Sequence, residues 1–148
     1  EYAIKDNLQE EMLRILLKRF IILCTRIARE KFSVSPEREK AFDMVRQFYV
    51  LVDNHFKEKK MVQDYADMLH RSPKTLSNLF TTCGLPSPLR IIHERIEAEA
   101  KRLLLYSQKS AKEITEILGF EDQATFSRFF KKMTGESVSE YRKREKRE

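Results

Sequence analysis

The stretch GFEDQATFSRFFKK, residues 119–132, combines four phenylalanines with three cationic side chains. Phe126, Phe130 and Met133 follow one another at spacings of four and three, which places them on one face of a helix. An aspartate before this helix is a common N-cap, and a glycine after it is a common stop. The stretch therefore predicts an amphipathic helix over about 123–134 that is held down by its aromatic face.

A weaker copy of this stretch lies fifty residues earlier, where TLSNLF at 75–80 aligns with TFSRFF at 125–130. Upstream of these segments the offset falls to forty-nine, so the second copy has one extra residue in its turn. Each copy reads as a short helix, a tight turn and a second helix, which is the helix-turn-helix arrangement. The sequence predicts such units at about 62–84 and 110–135, joined by a linking helix over about 88–106. The buried face in the first copy is expected to be Leu76, Phe80 and Cys83.

The rest of the chain also favours helices, because the alternating pattern of strands is missing from the sequence. A helix over about 36–56 is expected to bury Phe42, Val45, Phe48, Tyr49 and Val52. The predicted fold is all-α, with two homeodomain-like helix-turn-helix subdomains joined by a linking helix and preceded by a long amphipathic helix.

That first helix, from about Leu8 to Arg29, has an apolar stripe wider than a single surface helix needs. It is expected to be covered by a partner chain or by a neighbouring domain. The residues predicted to form a homodimer contact are Leu8, Met12, Leu16, Phe20, Leu23 and Ile27.

Composition argues against several classes of protein. The chain has 148 residues, a net charge of +6 and no apolar run long enough to span a membrane. Its two cysteines lie in apolar patterns and are expected to be reduced core thiols. Its histidines have no metal-ligand spacing, and three glycines leave no room for a phosphate-cradling loop. We therefore expect no catalytic residues, no metal and no cofactor.

The outward faces of the two repeated helices carry small, hydrogen-bonding and cationic side chains, without a carboxylate. A helix that enters the major groove cannot place Asp or Glu against phosphates, whereas Arg and Asn can address base edges. The repeated helices therefore predict double-stranded DNA as the partner.

From about 62 to 144 the chain resembles the DNA-binding domain of AraC/XylS-type bacterial transcriptional regulators. The matching segments are YADMLHRSPKTLSNLF and RIEAEAKRLLLYSQKSAKEITEILGFEDQATFSRFFKKMTGESVSEYR. Three residues depart from the family pattern: Val138 replaces a proline, Thr115 replaces an alanine, and His70 stands where the second copy has glycine. The histidine indicates a slightly different turn in the first unit.

The resemblance implies seven helices in the DNA-binding domain, residues 36–148, and an upstream sensor and dimerisation domain that ends within residues 1–35. A linking helix of roughly eighteen residues would span about 27 Å. The two recognition helices, 73–83 and 123–134, would read successive major grooves if they are set about 34 Å apart, and a shorter spacing would require the DNA to bend. By position in those helices, the implied base-reading residues are Lys74, Ser77, Asn78, Gln123, Ala124, Ser127 and Arg128. The phosphate candidates are Ser72, Thr75, Ser110, Thr125, Lys131, Lys132 and Arg142.

We therefore expect a sequence-specific transcriptional regulator, an activator rather than a repressor, that acts in the bacterial cytoplasm and associates with the nucleoid when bound. Its expected partners are DNA, RNA polymerase and a second copy, and its effector would bind the upstream domain. Two alternatives stay open. One is a helical protein-interaction module with incidental DNA affinity, and the other is an enzyme that carries this domain as an appendage.

Overall fold

The protein is described by a computed structural model over residues 7–31 and 35–145. Helices are the regular elements of these residues, which confirms the all-α prediction. Within the same residues, none of the helices has the length and apolar character needed to cross a membrane. The helices are α1 (Asn7–Lys31), α2 (Pro36–His55), α3 (Val62–Met68), α4 (Pro73–Thr82), α5 (Pro88–Tyr106), α6 (Ala111–Ile117), α7 (Gln123–Thr134) and α8 (Val138–Glu145).

The contacts divide the chain into two compact units, residues 1–40 and residues 41–148. In the first unit, α1 exposes large apolar side chains that are 48–65% accessible, including Met12, Leu16, Phe20, Leu23 and Ile27. Cys24 is also exposed, so the expectation of a core thiol is wrong there, while Cys83 is half-buried. The side chain of Leu8 lies outside the described part of the chain.

The core of the second unit is one cluster of buried residues that runs through both helix-turn-helix subdomains. In the first subdomain, Leu76 and Phe80 are fully buried, as their spacing predicts. The ring of Phe48 from α2 lies 4.9 Å from Phe80 and 5.5 Å from Tyr65 of α3, measured between ring centroids. These aromatic contacts hold α2, α3 and α4 together.

Two residues of α2 that were expected in this core are exposed. Phe42 is 54% accessible, because the buried stripe of the helix begins a turn later, at Val45. Tyr49 packs at the margin of the core: it is 39% accessible, and its ring centroid lies 6.4 Å from those of Phe48 and Phe80.

In the second subdomain, Phe126 and Phe130 are fully buried. The ring of Phe130 lies 5.4 Å from that of Tyr141 on α8, which ties α7 to the last helix. Phe129 is half-buried and lies 5.3 Å from the ring of His93 on α5. The second recognition helix is therefore anchored on the linking helix as well as within its own subdomain.

The linking helix α5 contacts α3, α4, α6, α7 and α8. Its buried residues are Pro88, Ile91, Ile92, Ile96, Ala100, Leu103 and Leu104. The side chain of Ser87 caps its start by accepting a hydrogen bond from the Arg90 N–H at 3.4 Å. Because α5 is one continuous helix of 19 residues, both recognition helices rest on one rigid element.

The first helix of each unit ends in the same conformation, which corrects the expectation of a different turn at His70, although the second turn is one residue longer before its next cap. His70 has φ +52° and Gly119 has φ +66°, so both residues are left-handed. In each copy three backbone N–H groups bond to carbonyls four, three and five residues earlier. The pattern of the turn is thus kept although a histidine replaces the glycine, at the cost of strain of about 1–2 kcal/mol.

The other two departures from the family pattern are accommodated locally. Thr115 is 3% accessible, and its hydroxyl donates to the Ala111 carbonyl at 2.8 Å, so no polar group is left unsatisfied. Before Val138, the Ser137 and Glu140 side chains each accept a hydrogen bond from the other's backbone N–H, which completes a capping box.

Gly119 and Gly84 give a matched pair of substitutions. Both have left-handed backbones, but an added Cβ at Gly119 would collide with the Lys57 carbonyl oxygen, whereas at Gly84 it meets nothing within 4 Å. Gly84→Ala should therefore cost about 1–2 kcal/mol of unfolding free energy, and Gly119→Ala about 2–5 kcal/mol. Urea unfolding of the two variants measures the difference, and equal losses would contradict the close approach at Gly119.

His93 predicts a pH dependence of stability. Burial lowers the pKa of its imidazole, and repulsion from Lys132 acts in the same direction. Because the unfolded chain binds this proton more readily, the free energy of unfolding should decrease as pH falls below about 6.5. Urea unfolding at about pH 7.5 and about pH 5.5 measures the decrease, and His93→Gln should reduce it.

The capping carboxylates titrate outside this window. Hydrogen bonds to Ser110 and Ser137 lower the pKa of Glu113 and Glu140, so their stabilisation is kept above about pH 4.5 and is lost only in more acidic solution. An unchanged loss of stability between pH 7.5 and 5.5 in the His93→Gln variant would show that His93 is not responsible.

Candidate nucleic-acid interface

The first recognition helix, α4, begins with a side-chain cap. Ser72 Oγ accepts a hydrogen bond from the Thr75 N–H at 3.1 Å and lies 2.9 Å from Thr75 Oγ1. Pro73 occupies the first helical position, where its missing N–H is not needed. Two of the phosphate candidates, Ser72 and Thr75, therefore lie together at the exposed start of the helix.

The outward face of α4 presents polar groups that are not engaged with the protein. Lys74, Ser77 and Asn78 are exposed, and within the described residues their side chains form no hydrogen bond or ion pair. Thr81 and Thr82 differ, because their hydroxyls donate to the carbonyls of residues 77 and 78, both at 2.9 Å. The three predicted base-reading side chains of the first unit are thus together and available to a ligand.

The second recognition helix, α7, is capped by Asp122, whose carboxylate accepts a hydrogen bond from the Thr125 N–H at 2.6 Å. This bond, with one to the Thr125 hydroxyl and the nearby charge of Arg128, lowers the pKa of Asp122. The carboxylate at the start of α7 is therefore ionised at neutral pH and committed to the helix end.

On the exposed face of α7, Gln123, Ala124 and Arg128 are accessible, whereas Ser127 is half-buried. The Arg128 guanidinium donates from Nη2 to the Thr125 hydroxyl at 3.3 Å, a weak contact that leaves its remaining N–H groups open. All four predicted base-reading residues of the second unit lie within one short segment, and Ser127 is the most buried of them.

Lys131 and Lys132 continue this face as exposed cations. In the described part of the chain neither they nor Lys74 form an ion pair. The cations of the linking helix behave differently: Arg90, Lys101 and Arg102 pair with Glu94, Glu97 and Glu99 at 2.6–2.7 Å. Both recognition helices therefore carry exposed positive charge that forms no ion pair within the described residues, unlike these three cations of the linking helix.

The other two phosphate candidates have structural partners. Ser110 caps α6: its hydroxyl accepts from the Glu113 N–H at 3.2 Å and donates to the Glu113 carboxylate at 2.8 Å. Arg142 donates from Nη2 to the Lys109 carbonyl at 2.6 Å, which joins α8 to the segment before α6. A shallow cavity of about 260 Å³ lies beside them, lined by Ala111, Val138, Ser139, Arg142 and Lys143. Their contacts with phosphate stay predictions.

Two residues near this surface were not found from the sequence. Arg71 is exposed directly before the cap of α4, and its position beside Ser72 was the signal that could have identified it. Lys60 bonds to the turn before α7, 59 residues away, and nothing in its basic local sequence indicates that contact. Among the described residues, no group of three His, Cys, Asp or Glu side chains is close enough to hold a metal ion.

The sequence of the chain is similar to those of known DNA-binding regulators. Residues 65–144, more than half of the chain, match the family described as a helix-turn-helix domain. The chain is 30% identical over 122 residues to the uncharacterized HTH-type transcriptional regulator YisR of Bacillus subtilis, covering 82% of this chain and 41% of YisR. It is 36% identical over 92 residues to the arabinose operon regulatory protein of Salmonella typhimurium, covering 62% of this chain and 31% of that protein. The chain thus spans less than half the length of these relatives.

Solved structures share the fold. The C-terminal domain of AraT, a response regulator from Geobacillus stearothermophilus, has a TM-score of 0.62 and 28% identity, over 76% of this chain and 88% of that one. The DNA-binding domain of the global transcriptional factor AdpA, solved with a target DNA, has a TM-score of 0.56 and 23% identity, over 69% and 88%. With its two helix-turn-helix units, their exposed recognition faces and these relatives, the chain belongs to the AraC/XylS-type family of DNA-binding transcriptional regulators.

Proposed function

We propose that this regulator reads two successive major grooves of one DNA duplex with α4 and α7. The observation that carries the proposal is the repetition of one unit whose two exposed helix faces lack carboxylates. Each face is opposite a fully buried pair, Leu76 with Phe80 and Phe126 with Phe130. Both helices contact α5, so one rigid helix carries the two readers at a set separation.

Base recognition is assigned to the side chains that have few or no partners in the protein. Arg128 suits a bidentate contact to guanine O6 and N7, and Asn78 suits one to adenine N6 and N7. Lys74, Ser77, Gln123 and Ser127 supply further donors and acceptors, while Ala124 is small enough to let α7 lie deep in the groove.

Phosphate contacts are assigned to groups that flank these faces. Lys131 and Lys132 supply unpaired charge on α7, and Ser72, Thr75 and Thr125 lie in the first turns, where backbone N–H groups attract anions. Arg142 belongs to the predicted set through the N–H groups that its bond to the Lys109 carbonyl leaves free. Ser110 also belongs to it, although its hydroxyl and its backbone N–H both donate to Glu113, so a phosphate contact would have to replace one of these bonds. Such contacts position the protein on the duplex but carry no sequence information.

The exposed apolar face of α1 is assigned to self-association. A surface of many large apolar side chains that are about half exposed is typical of an interaction site. In the whole regulator this helix would join an upstream effector-binding domain, and the second helix-turn-helix unit would contact RNA polymerase as an activator. The protein would act in the cytoplasm, on the nucleoid.

The same face of α1 favours the second candidate function, a protein-interaction module for which DNA affinity is incidental. The two candidates differ in one measurable property, since only the first requires a preferred base sequence. Selection of bound duplexes from a random library distinguishes them: enrichment of one bipartite motif supports groove reading, and a flat outcome supports the interaction module.

Arg128 and Lys132 are expected to affect binding to the selected duplex differently. Arg128→Ala should cost about 1–3 kcal/mol of specific binding free energy and relax the preference at one base pair. Lys132→Ala should weaken binding to all DNA sequences alike. It should also reduce the slope of log affinity against log salt concentration by about one, since one counterion fewer is released on binding. Titrations of selected and random duplexes at several salt concentrations measure both effects.

Arg46→Ala is the matched control for these variants, because Arg46 is an exposed cation on α2 outside the recognition faces. It should leave the preferred sequence unchanged. An Arg128→Ala variant with undiminished affinity and preference would remove Arg128 from the base-reading set. A sequence-selective loss in Lys132→Ala would contradict its assignment to phosphate.

Self-association through α1 is tested by charge insertion. Leu16→Glu and Phe20→Glu should weaken dimerisation about tenfold or more, since a buried unpaired carboxylate is costly. Val50→Glu, at an exposed apolar position on α2, is the control and should leave dimerisation unchanged. Sedimentation of the chain over the micromolar range is the measurement, and a strictly monomeric wild type would refute self-association by this surface.

A further inference from the structure

The segment that joins α2 to α3 makes a contact outside its own subdomain. The Lys60 ammonium donates to the Gly119 carbonyl at 2.7 Å, in the turn between α6 and α7. It also donates to the Lys57 carbonyl at 2.6 Å and lies 5.1 Å from the centroid of the Phe120 ring. One side chain therefore joins the segment that leads into the first helix-turn-helix unit to the turn that starts the second recognition helix.

The two backbones meet at close range around this ammonium. Gly119 has no side chain, and the Lys57 carbonyl oxygen lies only 2.1 Å from the position that a Cβ would take there. A lysine has three N–H donors, so the Lys60 ammonium can bond to the carbonyl oxygens of both residues at once. Burial lowers the pKa of Lys60, which agrees with an ammonium that is partly withdrawn from water.

The same segment is fixed on its other side to the first subdomain. The Tyr65 hydroxyl donates to the Lys59 carbonyl at 2.8 Å, and burial raises the pKa of Tyr65 to about 12. Phe56 is buried beneath the Arg95 guanidinium of α5, which lies 4.0 Å from its ring centroid, and Arg95 Nε donates to Asp53 at 2.7 Å. The segment that carries Lys60 is thus bonded to α3 of the first subdomain and packed against α5.

A single linking helix fixes the separation of two readers better than their rotation about its axis, because a helix bends and its side contacts shift. A second connection away from that axis removes this freedom. The Lys60 contact supplies one, since it bonds the 56–61 segment directly to the α6–α7 turn, without a residue of α5 between them.

We propose that Lys60 is a positioning residue that fixes the rotation of α4 relative to α7, and so determines which base-pair spacing between the two grooves the regulator accepts. The proposal rests on the two-groove reading proposed above. One base pair inserted between the two contacted segments turns the second groove by about 34–36° and moves it by about 3.4 Å. A rigid pair of readers cannot follow this change, whereas a loosened pair can.

The test compares binding to three duplexes: the selected site, and the same site with one base pair inserted or deleted between its two elements. Wild type should bind the altered duplexes at least tenfold more weakly. Lys60→Met keeps the length of the side chain but removes its charge and donors, and should reduce this spacing penalty at least threefold. The spacing penalty is the ratio of two dissociation constants measured with one variant, for an altered duplex and for the selected duplex. A general loss of affinity lowers binding to both duplexes equally and therefore does not change this ratio.

Lys59→Met is the matched control. Lys59 lies in the same segment with the same charge, but its ammonium is paired with Asp64, 3.7 Å away, within the first subdomain. Its spacing penalty should stay within twofold of wild type. Lys60→Arg, which keeps charge and donors, should restore most of the penalty. If urea unfolding shows that Lys60→Met does not fold, Lys60→Gln takes its place. This variant keeps an amide N–H donor, so its spacing penalty should lie between those of wild type and a variant without a donor.

The outcomes separate the two proposals. A wild type that binds all three duplexes equally overturns the two-groove reading and the role of Lys60 with it. A wild type that discriminates, while Lys60→Met or a folded Lys60→Gln keeps the full penalty, overturns only the positioning role. An equal reduction in Lys59→Met would show that charge in the segment, rather than the bond to Gly119, is responsible.

Discussion

Each recognition helix is held by one stripe of side chains, and what the domain offers to DNA depends on that stripe. Phe126 and Phe130 are fully buried on α7, and Leu76 and Phe80 are fully buried on α4. Withdrawing one such side chain from the core would cost about 1.5–3 kcal/mol, so neither helix can rotate about its axis. The outward face is consequently determined by the inward one, and the polar residues need no contacts of their own to be oriented.

The cations of the linking helix and those of the recognition helices differ in whether they form ion pairs. Exposed ion pairs add little to stability, so the pairs along α5 matter less for holding the helix than for neutralising it. Their carboxylates compensate the cations of the linking helix, whereas Lys74, Lys131 and Lys132 are left without such partners in the described residues. Both recognition helices thus keep exposed positive charge, in a chain whose net charge is +6.

Most of the fold could be predicted because its signals are local. Caps at Ser72, Ser110 and Asp122 and stripes at spacings of three and four set the helix ends to within a residue or two. The predictions of burial that were wrong depend on neighbours that are remote in sequence. Phe42 lies beyond the reach of the core, and periodicity cannot show where a helix meets its neighbours.

In the candidate site, too, the features set by local sequence could be predicted, and the features set by distant residues could not. The exposed faces of α4 and α7 follow from helix geometry and so could be predicted from the sequence, while their role in base reading stays a proposal. The Lys60 contact joins residues 59 positions apart through a backbone carbonyl, which no side-chain pattern encodes. The left-handed turn at His70 was likewise hidden, because hydrogen bonds and packing impose a conformation that histidine rarely adopts by itself.

The two units are copies of one another, yet their exposed positions are not the same. The pair Ser77 and Ser127 is shared, but Lys74 is matched by Ala124, and Asn78 by Arg128. If both units occupy one DNA site, as proposed, that site would have two unlike ends, because the copies follow one another in a fixed order along the chain. Such a site would have polarity. Inverting it beside a promoter would turn the whole protein end for end and present its opposite side to whatever binds next to it.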